Sequence, residues 1–357
     1  MVKKVCFFST NFAVHKQVRV QYAEKYLPKE MDLFYATYPS QNHYNFRRAK
    51  IIEISEGEVK FTLGLRKFCK ENKIDLLVNL GSTRESIGML FATIGLDTKY
   101  IVQIMGNPWD SPKLQKGVLK KTAMILENLF YSVSFSLAEK IIFGAEDIQE
   151  KARRFFPFIK DKILHCDLIL DERLFSPKNK QSIRKKLNLP LKKEIVIFVG
   201  RIDYLKGSDI MFELIKNNPE RLFVLVGKIS DERFKENILK NAVILESLNV
   251  ASLADYYCAS DLSILPSRIE GYGLVSRESM LCETPALVSD IPCLRKIKNV
   301  LIADLSVGAM QKKIDEFFSM PEKERNLLGK KGRKFVIKDC SYKILKPKFL
   351  KIYLNKN

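Results

Sequence analysis

Short apolar and β-branched runs alternate with helix-patterned stretches along almost the whole chain, and this alternation constrains the fold more than any other feature. It is the pattern of parallel sheets wrapped by helices, an α/β architecture. In the first half, strands are expected near Val5–Phe8, Leu33–Thr37, Ile74–Asn79, Tyr100–Met105, Lys140–Phe143 and Ile163–Cys166. Helices are expected between them, over Val14–Tyr26, Phe61–Asn72, Arg84–Ile94 and Leu114–Ser136. The polar, proline-bearing segment Asp171–Ser182 breaks the rhythm and reads as a linker. A second series of strands follows at Glu194–Val199, Leu222–Val226, Ala242–Leu245, Asp261–Leu265 and Ala286–Val288, and the tail from Ser306 is helical and basic. At 357 residues the chain exceeds one ordinary domain. The expected layout is two doubly wound, Rossmann-like domains facing each other across a cleft, the natural place for a ligand.

Composition removes several function classes. No run approaches the roughly 18 apolar residues of a spanning helix, and the start MVKKVCFFSTN has too short an apolar run for a secretory signal core. Seven dispersed cysteines without a C-x-x-C point to buried thiols in a reducing cytoplasm, and three histidines show no ligand spacing, so no metal is expected. The formal charge of +20, from 61 basic and 41 acidic residues, suits anionic partners. Phosphorylated small molecules and an anionic membrane face fit that charge, whereas no nucleic-acid signature accompanies it. Lys151-Ala-Arg-Arg-Phe-Phe-Pro-Phe158 interleaves cations with aromatics and admits membrane contact, though a helix end with core phenylalanines is the plainer reading.

Two clusters carry the chemistry. In Ile264-Leu-Pro-Ser-Arg-Ile-Glu-Gly-Tyr-Gly-Leu-Val-Ser-Arg-Glu-Ser-Met280 a strand ends, a glycine-bearing loop follows and a helix opens near Gly273. A helix N-terminus offers unpaired N–H groups and a positive dipole end, which suits a phosphate. Glu270 stands at the loop tip and Glu278 in the helix, so the two carboxylates can meet different parts of one ligand. In Ile197-Phe-Val-Gly-Arg-Ile-Asp-Tyr-Leu-Lys-Gly207 another strand runs into a loop. There Arg201 offers a planar fork for phosphate oxygens and Lys206 a point charge. Both clusters stand where open α/β sheets bind ligands, at the carboxyl ends of strands.

These residues resemble the donor half of a retaining GT-B glycosyltransferase of the group 1, family 4 type. The family's G-R-x4-K-G segment matches Gly200 to Gly207, and its E-G-[FY]-G…E segment, with seven residues between the acids, matches Glu270 to Glu278. The resemblance covers Lys140 to Arg295 well and the first half only in layout. It implies an acceptor domain over 1–172, a donor domain over 173–335 and a C-terminal helix over 336–357 crossing back to the first. It implies that Arg201 and Lys206 grip the donor diphosphate, that Glu270 contacts hydroxyls of the sugar and Glu278 the ribose. Around them, Gly200, Gly271 and the amides of Tyr272, Gly273, Leu274 and Val275 would face the sugar and β-phosphate, and Leu245 and Glu246 would border the base.

The first half departs from the family. Where a Gly-Gly pair is common after the first strand the chain has Ser9-Thr10-Asn11-Phe12, and where a histidine often stands it has Met105-Gly106-Asn107. An acceptor is expected around Ser9, Thr10, Asn11, Arg84, Gly106 and Asn107. The reading is therefore a cytoplasmic or peripherally membrane-bound transferase, without cofactor, that takes a UDP- or GDP-sugar. Its acceptor is a saccharide or lipid-linked hydroxyl of cell-surface polysaccharide or glycolipid synthesis. The alternatives are a nucleotide-sugar epimerase of the same fold and a non-catalytic membrane- or partner-binding protein with a vestigial cleft.

Overall fold

The computed structural model describes residues 2–10, 14–39, 46–81, 84–109, 122, 130–166, 168–237, 239–246 and 248–354, with the side chains of 14–18, 84, 342 and 343 left aside. The chain divides into two compact units, residues 1–167 with 345–357, and residues 168–344.

The first unit holds β1 (Lys4–Ser9), β2 (Asp32–Thr37), β3 (Lys50–Glu53), β4 (Leu76–Asn79), β5 (Lys99–Ile104), β6 (Lys140–Phe143) and β7 (Ile163–His165). They form one parallel sheet in the order β3-β2-β1-β4-β5-β6-β7. The order reverses between β1 and β4, where such a sheet opens a crevice at its carboxyl edge. Alternate residues of each strand face opposite sides. On one side Phe8, Leu77, Val102 and Phe143 join Phe61 and Leu65 of helix Glu58–Asn72, Met89 of helix Arg84–Thr93, Phe135, and Ile148 of helix Glu146–Phe155 in one buried core. On the other side Phe7 packs against Tyr353 of the C-terminal helix, ring centroids 5.8 Å apart.

The second unit holds β8 (Ile195–Val199), β9 (Leu222–Val226), β10 (Ala242–Leu245), β11 (Leu262–Leu265), β12 (Ala286–Ser289) and β13 (Leu301–Ala303). Its order, β10-β9-β8-β11-β12-β13, repeats the first sheet's arrangement, again wholly parallel and with the reversal between β8 and β11. The central strands β8, β9, β11 and β12 are buried on both faces, which is why they read as unbroken apolar runs.

Several expectations shift. The two short strands β3 and β13 were not foreseen: β3 is a half-exposed edge of four residues, and β13 has only three. The helix expected over Leu114–Ser136 lies largely outside the described residues, of which 130–137 are helical. The Asp171–Ser182 segment is no loose linker. Phe175 is buried against Tyr257, Lys178 pairs with Asp255 at 2.6 Å, and helix Lys180–Lys186 begins inside the segment. The first unit ends at 167 rather than 172, and residues 336–344 belong to the second unit. The cause is local: Val336 and Cys340 are buried, and the Leu170 N–H donates to the Cys340 carbonyl. All seven cysteines are free and buried.

Candidate active site

The most developed polar constellation stands in the second unit, where the chain leaves β8 and β11. After β8 the backbone makes a short 3-10 turn over Tyr204–Lys206, capped by Asp203, whose carboxylate accepts from the Lys206 N–H at 3.0 Å. Gly207 then takes a left-handed conformation, φ 76°, and opens helix Ser208–Asn217. A Cβ there would stand 2.0 Å from the Pro266 carbonyl oxygen, so only glycine lets this turn lie against the loop after β11. The Arg268 N–H seals the two loops by donating to the Leu205 carbonyl at 2.9 Å.

Seated in this way, residues far apart in sequence converge. Lys206 Nζ is bonded to Glu270 Oε1, and the Ser267 hydroxyl donates to the same oxygen at 2.9 Å. Both members of the ion pair are largely buried, with 22% and 10% of their side chains exposed. Arg201 is turned out to solvent at the rim, its Nη2 3.0 Å from Asp203 Oδ2. Arg268 lies flat over the Tyr204 ring, 3.7 Å from its centroid, and clasps both oxygens of Asp209 at 2.7 and 2.6 Å. Burial opposes the charge on Asp209, but the hydrogen bonds and charge of Arg268 outweigh it and hold the carboxyl below its usual range.

The loop Gly271–Gly273 is buried, and helix Leu274–Leu281 opens from Gly273 in a left-handed conformation, φ 68°. A Cβ at Gly273 would come within 2.5 Å of Leu294 Cδ2. No side chain caps this helix, so its first N–H groups are available at the loop. Tyr272 turns its ring away from that terminus: its hydroxyl is 2.9 Å from Cys340 Sγ and the Arg277 guanidinium lies 4.0 Å over its ring. Its carbonyl accepts from Arg277 Nη1. Glu278 is buried, accepting from the Tyr257 hydroxyl at 3.2 Å. Burial pushes its carboxyl up to about 8, against the lowering by that hydrogen bond.

The second unit thus brings Gly200, Arg201, Lys206, Glu270, Gly271, Tyr272, Gly273, Leu274 and Val275 to the adjoining ends of β8 and β11. Leu245 and Glu246 end β10, two strands away from β8, with Glu246 exposed. Sequence reasoning passed over Asp203, Ser267, Arg268 and Tyr257. The one signal for them was their place, the first three inside the two clusters and Tyr257 one helix upstream.

At the corresponding place in the first unit, the Thr10 N–H and hydroxyl both donate to Glu85 Oε1, at 2.9 and 3.1 Å, joining the ends of β1 and β4. Ser9 is buried in β1, Arg84 opens the helix after β4, and Gly106 is exposed beside the half-buried Asn107. Asn11 lies outside the described residues. Beneath these loops Arg19 reaches the Leu80 carbonyl and Gln103 Oε1, each at 3.3 Å, and Gln103 is tied to the Tyr353 hydroxyl. Burial lowers the Arg19 pKa to about 10. Nothing in the sequence marked Arg19 among the many cations. Among the described residues, no three His, Cys, Asp or Glu side chains converge in a way that could hold a metal ion.

Residues 179–335 match the family model for glycosyl transferases group 1. D-inositol 3-phosphate glycosyltransferase of Segniliparus rotundus is 29% identical over 182 residues, which is 46% of this chain and 40% of that protein. The chain therefore spans less than half the length of such relatives. Sucrose-phosphate synthase from Thermosynechococcus elongatus superposes with a TM-score of 0.82 at 17% identity, over 99% of this chain and 98% of that one. Anabaena HepE in complex with UDP-glucose gives 0.79 at 11% identity, over 99% and 100%. At such identities the likeness is one of fold, and the fold is the two-domain α/β fold of the GT-B glycosyltransferases.

Proposed function

We propose that this protein is a retaining glycosyltransferase that moves a sugar from a nucleoside diphosphate donor to a hydroxyl acceptor. The observation that carries the reading is the Lys206–Glu270 pair, set beside an uncapped helix N-terminus where β8 and β11 end. The group 1 family match over the same unit supports it. Departure of a nucleoside diphosphate builds negative charge on the β-phosphate. Lys206, the rim cation Arg201 and the N–H groups of Leu274 and Val275 are fixed donors for that charge. A diphosphate competes with Glu270 for Lys206, and the released carboxylate, still held by Ser267, is then free to accept from a sugar hydroxyl. A ribose reaching Glu278 meets a carboxyl that burial keeps protonated at neutral pH. Retention follows if the leaving phosphate assists the acceptor hydroxyl on the same face of the sugar.

The acceptor falls to the first unit, at the Thr10–Glu85 junction and the Gly106–Asn107 loop. A saccharide or lipid-linked acceptor of cell-surface polysaccharide or glycolipid synthesis, met on the cytoplasmic side, completes the proposal. A thermal-shift panel with UDP, GDP and ADP, with and without chelator, tests it on wild type and Lys206→Ala. Ligand at 100 times its dissociation constant adds about 2.7 kcal/mol. Selective stabilisation by one nucleotide, lost in Lys206→Ala and indifferent to chelator, is expected. No response to any of the three overturns the donor site, and an epimer formed from a nucleotide sugar without acceptor overturns the transfer.

A further inference from the structure

Large apolar side chains that remain well exposed are not scattered over this molecule. Of thirteen among the described residues, nine lie on one helical layer of the first unit. Helix Glu58–Asn72 presents Val59 and Leu63, and helix Arg84–Thr93 presents Phe91, with Ile94 just beyond it. The helical segment 130–137 presents Phe130, Val133 and Leu137, spaced to lie on one stripe. The turn after helix Glu146–Phe155 adds Phe155 and Phe158, the latter 67% exposed.

These elements are joined side by side. Arg66 Nη1 donates to the Phe91 and Ile94 carbonyls at 3.4 and 2.5 Å, tying the first helix to the second. The Ser134 hydroxyl donates to the Ser86 carbonyl at 2.7 Å, tying the second to the segment 130–137. Lys162 Nζ donates to the Ser136 and Ala138 carbonyls, and the Phe156 ring bridges Phe135 and Phe158, centroids 5.6 and 6.3 Å away. All four elements cover the same side of the sheet with one core beneath them. The layer on the opposite side, over 19–26 and 345–354, leaves no large apolar side chain exposed among its described residues.

We propose that this helical layer docks on an anionic lipid surface, its apolar side chains entering the interface and its lysines and arginines meeting the headgroups. Charge selects the occupant. The chain carries a formal +20, so a second copy is repelled and an anionic partner is drawn in. Exposed charges flank the apolar residues with cations in excess, Lys60, Lys67 and Lys70 against Glu58 and Glu71 near Val59 and Leu63, and Arg153, Arg154 and Lys160 against Glu150 and Asp161 near Phe155 and Phe158. Between them, the described side chains of 85–94 and 130–137 include no exposed charge. Aromatic and aliphatic side chains ringed by long cations bind reversibly at a headgroup boundary, and a solvated monomer surface has no use for such a patch. No helix among the described residues is long and apolar enough to cross a membrane, so the contact is a surface one.

Co-sedimentation of the full chain with phosphatidylglycerol/phosphatidylcholine vesicles, against pure phosphatidylcholine vesicles, tests this directly. Binding to the anionic vesicles is expected, with each of the double variants Phe130→Ser/Leu137→Ser and Phe91→Ser/Ile94→Ser weakening it about tenfold and leaving the unfolding temperature unchanged. Trp109 is the sole tryptophan and its ring packs against Phe155 at 5.9 Å, so brominated lipid is expected to quench its emission. Absence of binding to anionic vesicles overturns the proposal. So does binding that the serine variants leave intact, which would rest on net charge alone. A dimer in sedimentation velocity that the same variants dissolve overturns it in favour of a contact between copies.

Discussion

The two units are built on one plan and use it differently. In each, a parallel sheet reverses its strand order between its first and fourth strands, and the loops leaving those strands meet at the carboxyl edge. In the second unit the meeting is an ion pair, Lys206 with Glu270, backed by Arg268 on Asp209 and flanked by a helix N-terminus. In the first it is a carboxylate, Glu85, holding the hydroxyl and N–H of Thr10, with Arg19 below. The scaffold sets where a ligand can sit, and the loop residues decide what charge it brings. Under the proposed function, one edge would take a strongly anionic leaving group and the other a neutral, hydroxyl-rich partner.

The sharpest way to break this contrast is at the ion pair. Lys206→Ala is expected to cut sugar transfer by at least about a hundredfold, as loss of a fixed donor to developing charge does. Near-normal turnover of the purified variant would remove the site from the second unit. Next in size is Gly207→Ala, which sets a methyl group against the Pro266 carbonyl in a left-handed turn and is expected to cost about 2–3 kcal/mol. Chemical denaturation reads that loss, and an unchanged midpoint would show that the two loops are free to part. A third effect depends on pH. The Glu278 pKa lies above its ordinary 4.5, at about 8, so the fold favours the protonated carboxyl. Its stabilising contribution is full below about 4.5 and fades as pH rises through 8. Glu278→Gln should therefore flatten the fall in unfolding temperature between pH 5 and pH 8, and an unchanged slope would assign it to other groups. The smallest effect sharpens the contrast from the first unit. Thr10→Ala should slow transfer about tenfold, the worth of one hydrogen bond, and leave nucleotide-induced stabilisation intact. Loss of that stabilisation would mean that the two edges do not divide the work.

The same contrast explains what could be read from the amino acids. Strands buried on both faces, such as Leu222–Val226, announce themselves as apolar runs, while the three residues of Leu301–Ala303 are too few to do so. In the second unit the candidate site residues carry charge and glycine at fixed spacing within two short stretches, so the sequence alone points to them. Their partners Tyr257, Ser267 and Arg268 were silent, because a tyrosine inside an apolar helix and a serine before a loop look ordinary until the fold brings them near a carboxylate. In the first unit the junction depends on contacts across more than seventy residues, such as Thr10 with Glu85, which no local spacing encodes. The exposed phenylalanines were half legible. Phe155 and Phe158 stood out in sequence, but read there as core, whereas only the packing of four helical elements shows that they continue a surface.

One consequence follows from the return of the chain to its beginning. Residues 345–357 complete the first unit, and Tyr353 lies under its sheet against Phe7 and Gln103. On the ribosome, the first unit emerges long before the helix that covers this face, and the entire second unit must be translated in between. The nascent first unit therefore waits with Phe7 uncovered, and the order of synthesis makes the closing of that face wait for the whole of the second unit.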